Sequence, residues 1–88
     1  MRIVPTNMAS LIRNKRLDLR MSQITLTGLL GWKKNNSQYV SNIERALCPF
    51  PSKSISRLSS ALYISRAEII DAMTKDYNES LNKSLNIE

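Results

Sequence analysis

At 88 residues the chain has the length of one small domain, and a chain this short buries roughly 60–65% of its unfolded surface, enough for one modest core. Apolar residues at 42% and charged residues at 23% are ordinary for a globular fold, but histidine is absent and Cys48 is the sole cysteine, which excludes His-based triads, zinc sites of the usual ligand sets and an internal disulfide. The net charge of +6 is unevenly spread: residues 1–66 hold eleven basic and two acidic side chains, residues 67–88 two basic and five acidic.

A basic body with an acidic tail suits a polyanion partner for the body and a different role for the tail. The unpaired thiol suggests a reducing cytoplasm, and no apolar run approaches a membrane span or a signal-peptide core.

Residues 1–7 read as a flexible, untethered entry. Thr6 or Asn7 can cap a first helix running to about Leu19, with Met8, Ile12 and Leu19 on one face and Leu11 beside it. Ser22 is a good N-cap for a second helix carrying Leu26, Leu29 and Leu30, and Gly31 supplies the left-handed residue that ends it. Trp32 to Asn36 form a polar linker whose tryptophan is expected to fold back on the core. Asn36 can cap a third helix, Ser37 to Arg45, with Val40 and Ile43 inward and Ser37, Gln38, Ser41 and Asn42 polar.

Pro49-Phe50-Pro51 separates this from a fourth helix bearing Ile55, Leu58, Ala61 and Leu62, since neither proline fits a helix interior. Ser65-Arg66-Ala67-Glu68 is a capping box opening a fifth helix. No alternating run suggests a sheet, and the expected class is all-α with five helices.

The ordered set Ile12-Arg13-Asn14-Lys15-Arg16, Met21-Ser22-Gln23, Leu26, Leu30-Gly31 and Val40-Ser41-Asn42-Ile43-Glu44-Arg45 resembles the phage-repressor family of helix-turn-helix proteins, the Cro/CI-type or XRE group. The likeness spans roughly residues 8–73. It implies a lambda-repressor-like DNA-binding domain over 8–74 with a C-terminal helical extension, an acidic tail over 75–88. The third helix would then lie in the major groove. Ser37, Gln38, Ser41 and Asn42 would face base edges, and amide side chains can pair two-pronged with adenine. Gln23, at the start of the second helix, would hold a phosphate, as helix N-termini favour anions. Arg13, Lys33, Lys34, Arg45 and Lys53 would be further phosphate contacts. Arg16 and Glu44 would form a largely buried ion pair of structural purpose.

Two departures from the family pattern stand out. The stretch from Gly31 to Val40 is about three residues longer than usual. Ala46 stands where glycine is preferred, so the helix either runs on or places alanine in a left-handed conformation costing about 1 kcal/mol.

The tail carries Ile69, Ile70, Met73, Tyr77, Leu81 and Leu85, which from Met73 recur every four residues. This stripe can add to the core, with a frayed end, or meet its copy in a two-fold homodimer. The resemblance implies a sequence-specific double-stranded DNA-binding regulator, a phage or bacterial repressor occupying an operator of two half-sites. The competing expectation is a protein-interaction module, antitoxin-like or an adaptor, that uses the tail. An enzyme is not expected, as Cys48 lacks a histidine base and looks like a packed small hydrophobe; nor is a cofactor or metal. RNA binding is disfavoured because the five aromatics show no stacking platform in the sequence.

Overall fold

Five α-helices dominate the computed structural model, which describes residues 2–86: α1 (Thr6–Asp18), α2 (Gln23–Leu29), α3 (Ser37–Glu44), α4 (Ile55–Leu62) and α5 (Arg66–Leu85). Single 3₁₀ turns at Lys34–Asn36 and Ser52–Ser54 lead into α3 and α4. No strand occurs among the described residues, so the chain is an all-α five-helix domain.

The core lies where α1, α2, α3 and α4 converge. Ile12, Leu26, Leu30, Val40, Leu58, Leu62 and Ile64 are all less than 2% exposed. Each such side chain contributes about 1.5–3 kcal/mol by leaving water. Two residues expected inside lie outside: Leu19 is the cap residue beyond α1, and Leu29 points away from the shared face of α2. Their places are taken by polar groups with internal partners, Arg16 on α1 and Thr27 on α2, whose hydroxyl donates to the Gln23 carbonyl at 2.7 Å.

The helix ends follow one rule. After α1, α2, α3 and α4 the chain turns through a left-handed residue: Arg20 (φ 53°), Gly31 (φ 78°), Ala46 (φ 60°) and Tyr63 (φ 53°). The next N–H then reaches back five residues, as in Met21 to the Arg16 carbonyl, Trp32 to Thr27, Leu47 to Asn42 and Ile64 to Ser59. This Schellman geometry satisfies carbonyls that helix ends otherwise orphan. Gly31 does so without steric penalty, and Arg57 lies across it, donating to the Leu30 carbonyl at 3.3 Å. Ala46 ends α3 in the left-handed form, the second of the two alternatives its sequence context left open.

Helix starts divide differently. Ser22 accepts the Thr25 N–H at 3.0 Å, and Ser65 and Glu68 form the reciprocal capping box. Asn36 does not cap α3 with its side chain; the 3₁₀ turn runs straight into the helix instead. Nor do Thr6 or Asn7 cap α1. Pro5 takes the cap position, and the free N–H groups of Asn7 and Met8 donate to the Asp76 carboxylate of α5, at 2.6 and 3.1 Å.

That contact also corrects the picture of the entry segment. Val4 N–H donates to Ser80 Oγ at 3.0 Å, and the Asn7 amide donates to both Asp76 and Glu79, so residues 4–7 are tied along α5. The tail is likewise continuous with α5 up to Leu85, with no break at 74. Its inward stripe is Ile69, Ala72, Asp76 and Ser80, one step round the helix from Met73, Tyr77 and Leu85, which are exposed. Residues 1, 87 and 88, the remainder of the expected flexible entry and acidic tail, lie outside the described residues.

Ala46→Gly is expected to stabilise the fold by about 1 kcal/mol, and Gly31→Ala to destabilise it by about 1–2 kcal/mol. Thermal unfolding should show opposite shifts, about 4–8 °C per kcal/mol for a domain of this size.

The Ser65 N–H and the Lys15 ammonium, 3.1 Å away, hold the Glu68 carboxyl below its ordinary value of 4.5. A carboxyl that binds its proton less tightly folded than unfolded stabilises the fold above that value and loses its contribution as pH falls through the folded value. Glu68→Gln keeps the backbone acceptor and removes the charge, so its melting temperature should fall less than that of the parent between neutral pH and about pH 3.

Candidate functional site

The α2–turn–α3 unit divides α3 into two faces. Val40, Ile43 and Glu44 are buried against the other helices. Gln38 and Arg45 are exposed on the opposite face, with Ser41 and Asn42 half-buried between them and Ser37 at one edge. Over eight residues α3 is about 12 Å long.

Glu44 anchors this helix from behind. Arg16 Nε donates to Glu44 Oε2 at 2.6 Å and its Nη2 to Oε1 at 2.9 Å, a two-pronged pair with both residues 8% exposed. Arg16 Nη1 also donates to the Met21 carbonyl at 2.7 Å, and Gln23 Nε2 to Glu44 Oε1 at 3.1 Å. The hydrogen bonds it donates to Glu44 raise the Arg16 guanidinium pKa further above its already high ordinary value, against the opposing effect of burial. One carboxylate thus ties α1, the loop after it, α2 and α3 together. Gln23, expected as a phosphate contact, has its amide engaged in this cluster and stands half-buried at the start of α2.

The outer face carries its own chain of contacts. Gln38 Nε2 and Arg45 Nη2 both donate to Asn42 Oδ1, at 3.1 and 2.9 Å. Two-pronged pairing with adenine needs both the oxygen and the nitrogen of an amide. The Asn42 oxygen accepts twice, whereas Gln38 spends one of its two amide N–H groups and keeps its oxygen available. Arg45 lies along this face and not beside it.

Lys33, Lys34 and Lys53 are exposed near the start of α3, and Lys53 shares a surface pocket with Trp32, Asn36, Tyr39 and Pro51. Arg13 is exposed on α1 and belongs to none of these groupings. The aromatics gather as the sequence did not reveal: Trp32 stacks on Tyr39 at 5.1 Å and on Phe50 at 5.7 Å between ring centroids. Trp32 does fold back on the core, and Tyr39, at the rim of the α3 outer face, is the member sequence reasoning missed. Its spacing three residues ahead of Asn42 is the only signal that could have placed it there.

Of the tail stripe, Ile70, Met73 and Tyr77 are exposed by 51, 44 and 46%, and Leu81 is half-buried. Met73 also lines an apolar groove of about 350 Å³ with Ile3, Pro5 and Phe50. Cys48 is half-buried against the core. Among the described residues no group of His, Cys, Asp or Glu could hold a metal ion, and no helix is long and apolar enough to cross a membrane. No protein-family model matches the chain, and no curated protein or solved structure matches it either.

Removing one member of the Arg16–Glu44 pair strands a buried charge and should cost about 3–5 kcal/mol, whereas Arg16→Met with Glu44→Leu should recover most of that loss. Urea unfolding of the two single variants and the double variant measures it; equal losses in all three would contradict the pairing.

Proposed function

We propose that the chain is a sequence-specific double-stranded DNA-binding regulator of the phage-repressor type, which inserts α3 in the major groove and acts by occupying its site. The observation that carries this reading is the two-sided α3: one face is fixed by Val40, Ile43 and the Arg16–Glu44 pair, and the other presents Gln38 and Arg45 exposed, with Ser41 and Asn42 half-buried between them. An α-helix about 10–12 Å across with its side chains suits a major groove about 12 Å wide. The motif order that resembles the family, the all-α five-helix fold and the net charge of +9 over residues 1–66 support the same conclusion.

In this reading affinity and specificity come from different residues. Lys33, Lys34 and Lys53 neutralise phosphates and release counterions, which strengthens binding to every sequence and makes it salt-dependent. Ser37, Gln38, Ser41 and Asn42 meet base edges. No catalytic step is involved. The exposed Ile70, Met73 and Tyr77 on α5 suit a second copy of the chain, which would present two recognition helices to half-sites about one helical turn apart, ~10 bp. The same strip is what a protein-interaction module would use, and binding insensitive to salt would favour that alternative.

Selection of bound duplexes from a random pool should return an enriched motif with paired half-sites. Gln38→Ala should relax preference at one position per half-site at a cost of roughly 1–3 kcal/mol, while Lys34→Ala weakens all sequences alike and lowers the salt slope by about one. Equal binding of selected and random duplexes by the parent protein would end the reading.

A further inference from the structure

The pocket between the α2–α3 turn and the start of α4 has a composition of its own. It encloses about 370 Å³ and is lined by Trp32, Asn36, Tyr39, Pro51 and Lys53. Its apolar lining comes from Trp32 and Pro51. The polar residues lining it are Lys53, Asn36 and Tyr39, and no Asp or Glu lines it. Asn36 occupies the cap position of α3 yet makes no capping hydrogen bond, so its amide is not spent on the helix. Stacking on Trp32 fixes the Tyr39 ring, and Trp32 is itself held by Phe50, which is 8% exposed. Desolvation, with a smaller contribution from Cys48, raises the Tyr39 hydroxyl above the ordinary phenol value, so it is an O–H donor at physiological pH.

A site lined by one cationic residue, two neutral hydrogen-bonding residues and two apolar ones suits an anion attached to a small ring. Tyr39 is the next residue after Gln38 on α3, so whatever sits here borders whatever α3 reads. Resting on the DNA-binding reading above, we infer that this pocket seats one deoxyribose-phosphate unit of the strand flanking the recognition helix: the sugar lies against Trp32 and Pro51, and the phosphate oxygens accept from Lys53, Asn36 and Tyr39. The turn between α2 and α3, longer than the phage-repressor spacing, builds this seat, since it supplies Trp32 and Asn36. Tyr39 is therefore a backbone-positioning residue that sets the register of Gln38, and it carries no base preference of its own.

Trp32 is the sole tryptophan, which makes the pocket directly observable. Full-length protein is titrated with a duplex recovered from the random-pool selection, with a scrambled duplex and with one isolated strand. Anisotropy of a dye on the DNA reports binding, and acrylamide quenching of Trp32 reports the pocket. Both duplexes should protect Trp32 from acrylamide in step with the anisotropy rise. Tyr39→Phe and Lys53→Ala should each weaken binding roughly three- to tenfold on both duplexes alike, the size of one hydrogen bond or one phosphate contact. Tyr39→Phe keeps the ring and should leave the melting temperature unchanged, so a folding defect would not imitate the result. Duplex binding with unaltered quenching, or with both variants within twofold of the parent, overturns the pocket and leaves the DNA reading standing. Equal protection by the isolated strand overturns it in favour of a single-strand site. No duplex binding even at low salt removes the DNA reading, and this inference with it.

Discussion

The orientation of α3 depends on the Glu44 carboxylate. Its two oxygens take three hydrogen bonds, two from the Arg16 guanidinium and one from the Gln23 amide, and Arg16 spends a further N–H on the Met21 carbonyl. A buried ion pair of this kind is weak evidence for stability, because desolvation offsets much of its Coulomb gain. What it does supply is direction. Apolar contacts through Val40 and Ile43 hold α3 on the core but tolerate rotation and sliding, whereas two-pronged guanidinium–carboxylate geometry does not. The cluster also recruits the start of α2, so the two helices on either side of the turn share one fixed point.

At the other end of the molecule the same economy is applied to the N-terminus. The inward stripe of α5 includes Asp76 and Ser80, polar residues 2% and 5% exposed, and their partners are the backbone N–H groups of residues 4, 7 and 8. The positive end of α1 is thus capped by a carboxylate nearly seventy residues away. Among the described residues no buried side-chain polar atom is left without a partner. Closing α1 against α5 in this way ties the two ends of the domain together, and Lys15–Glu68 adds a second, exposed tie between the same helices.

Local signals were legible and long-range polar pairing was not. The caps at Ser22 and Ser65, the stop at Gly31 and the proline-flanked break before α4 depend on residues a few positions apart, and each stands as its sequence indicates. The Arg16–Glu44 pair came through its place in a family pattern. No composition or periodicity marks Asp76 as a cap for α1, because a hydrophobic scan places Asp and Ser outside and therefore reads the stripe of α5 one step off. Tyr39 was hidden for a related reason. Its partner Trp32 lies across a turn and Phe50 beyond the end of the helix, so the aromatic stack exists only once α3 has docked.

The ends of α3 show how little of its placement is its own. Its N-terminus has no side-chain cap and its C-terminus closes on a strained alanine, so in isolation these eight residues would not hold a helix. What keeps it helical and oriented comes from its inner face, with Val40 and Ile43 in the core and Glu44 on Arg16, and from Tyr39 stacked on Trp32 at the rim. Of the outer residues, Gln38 and Arg45 both donate to Asn42. Changes at the exposed Gln38 and Arg45 leave Val40, Ile43 and the Arg16–Glu44 pair untouched.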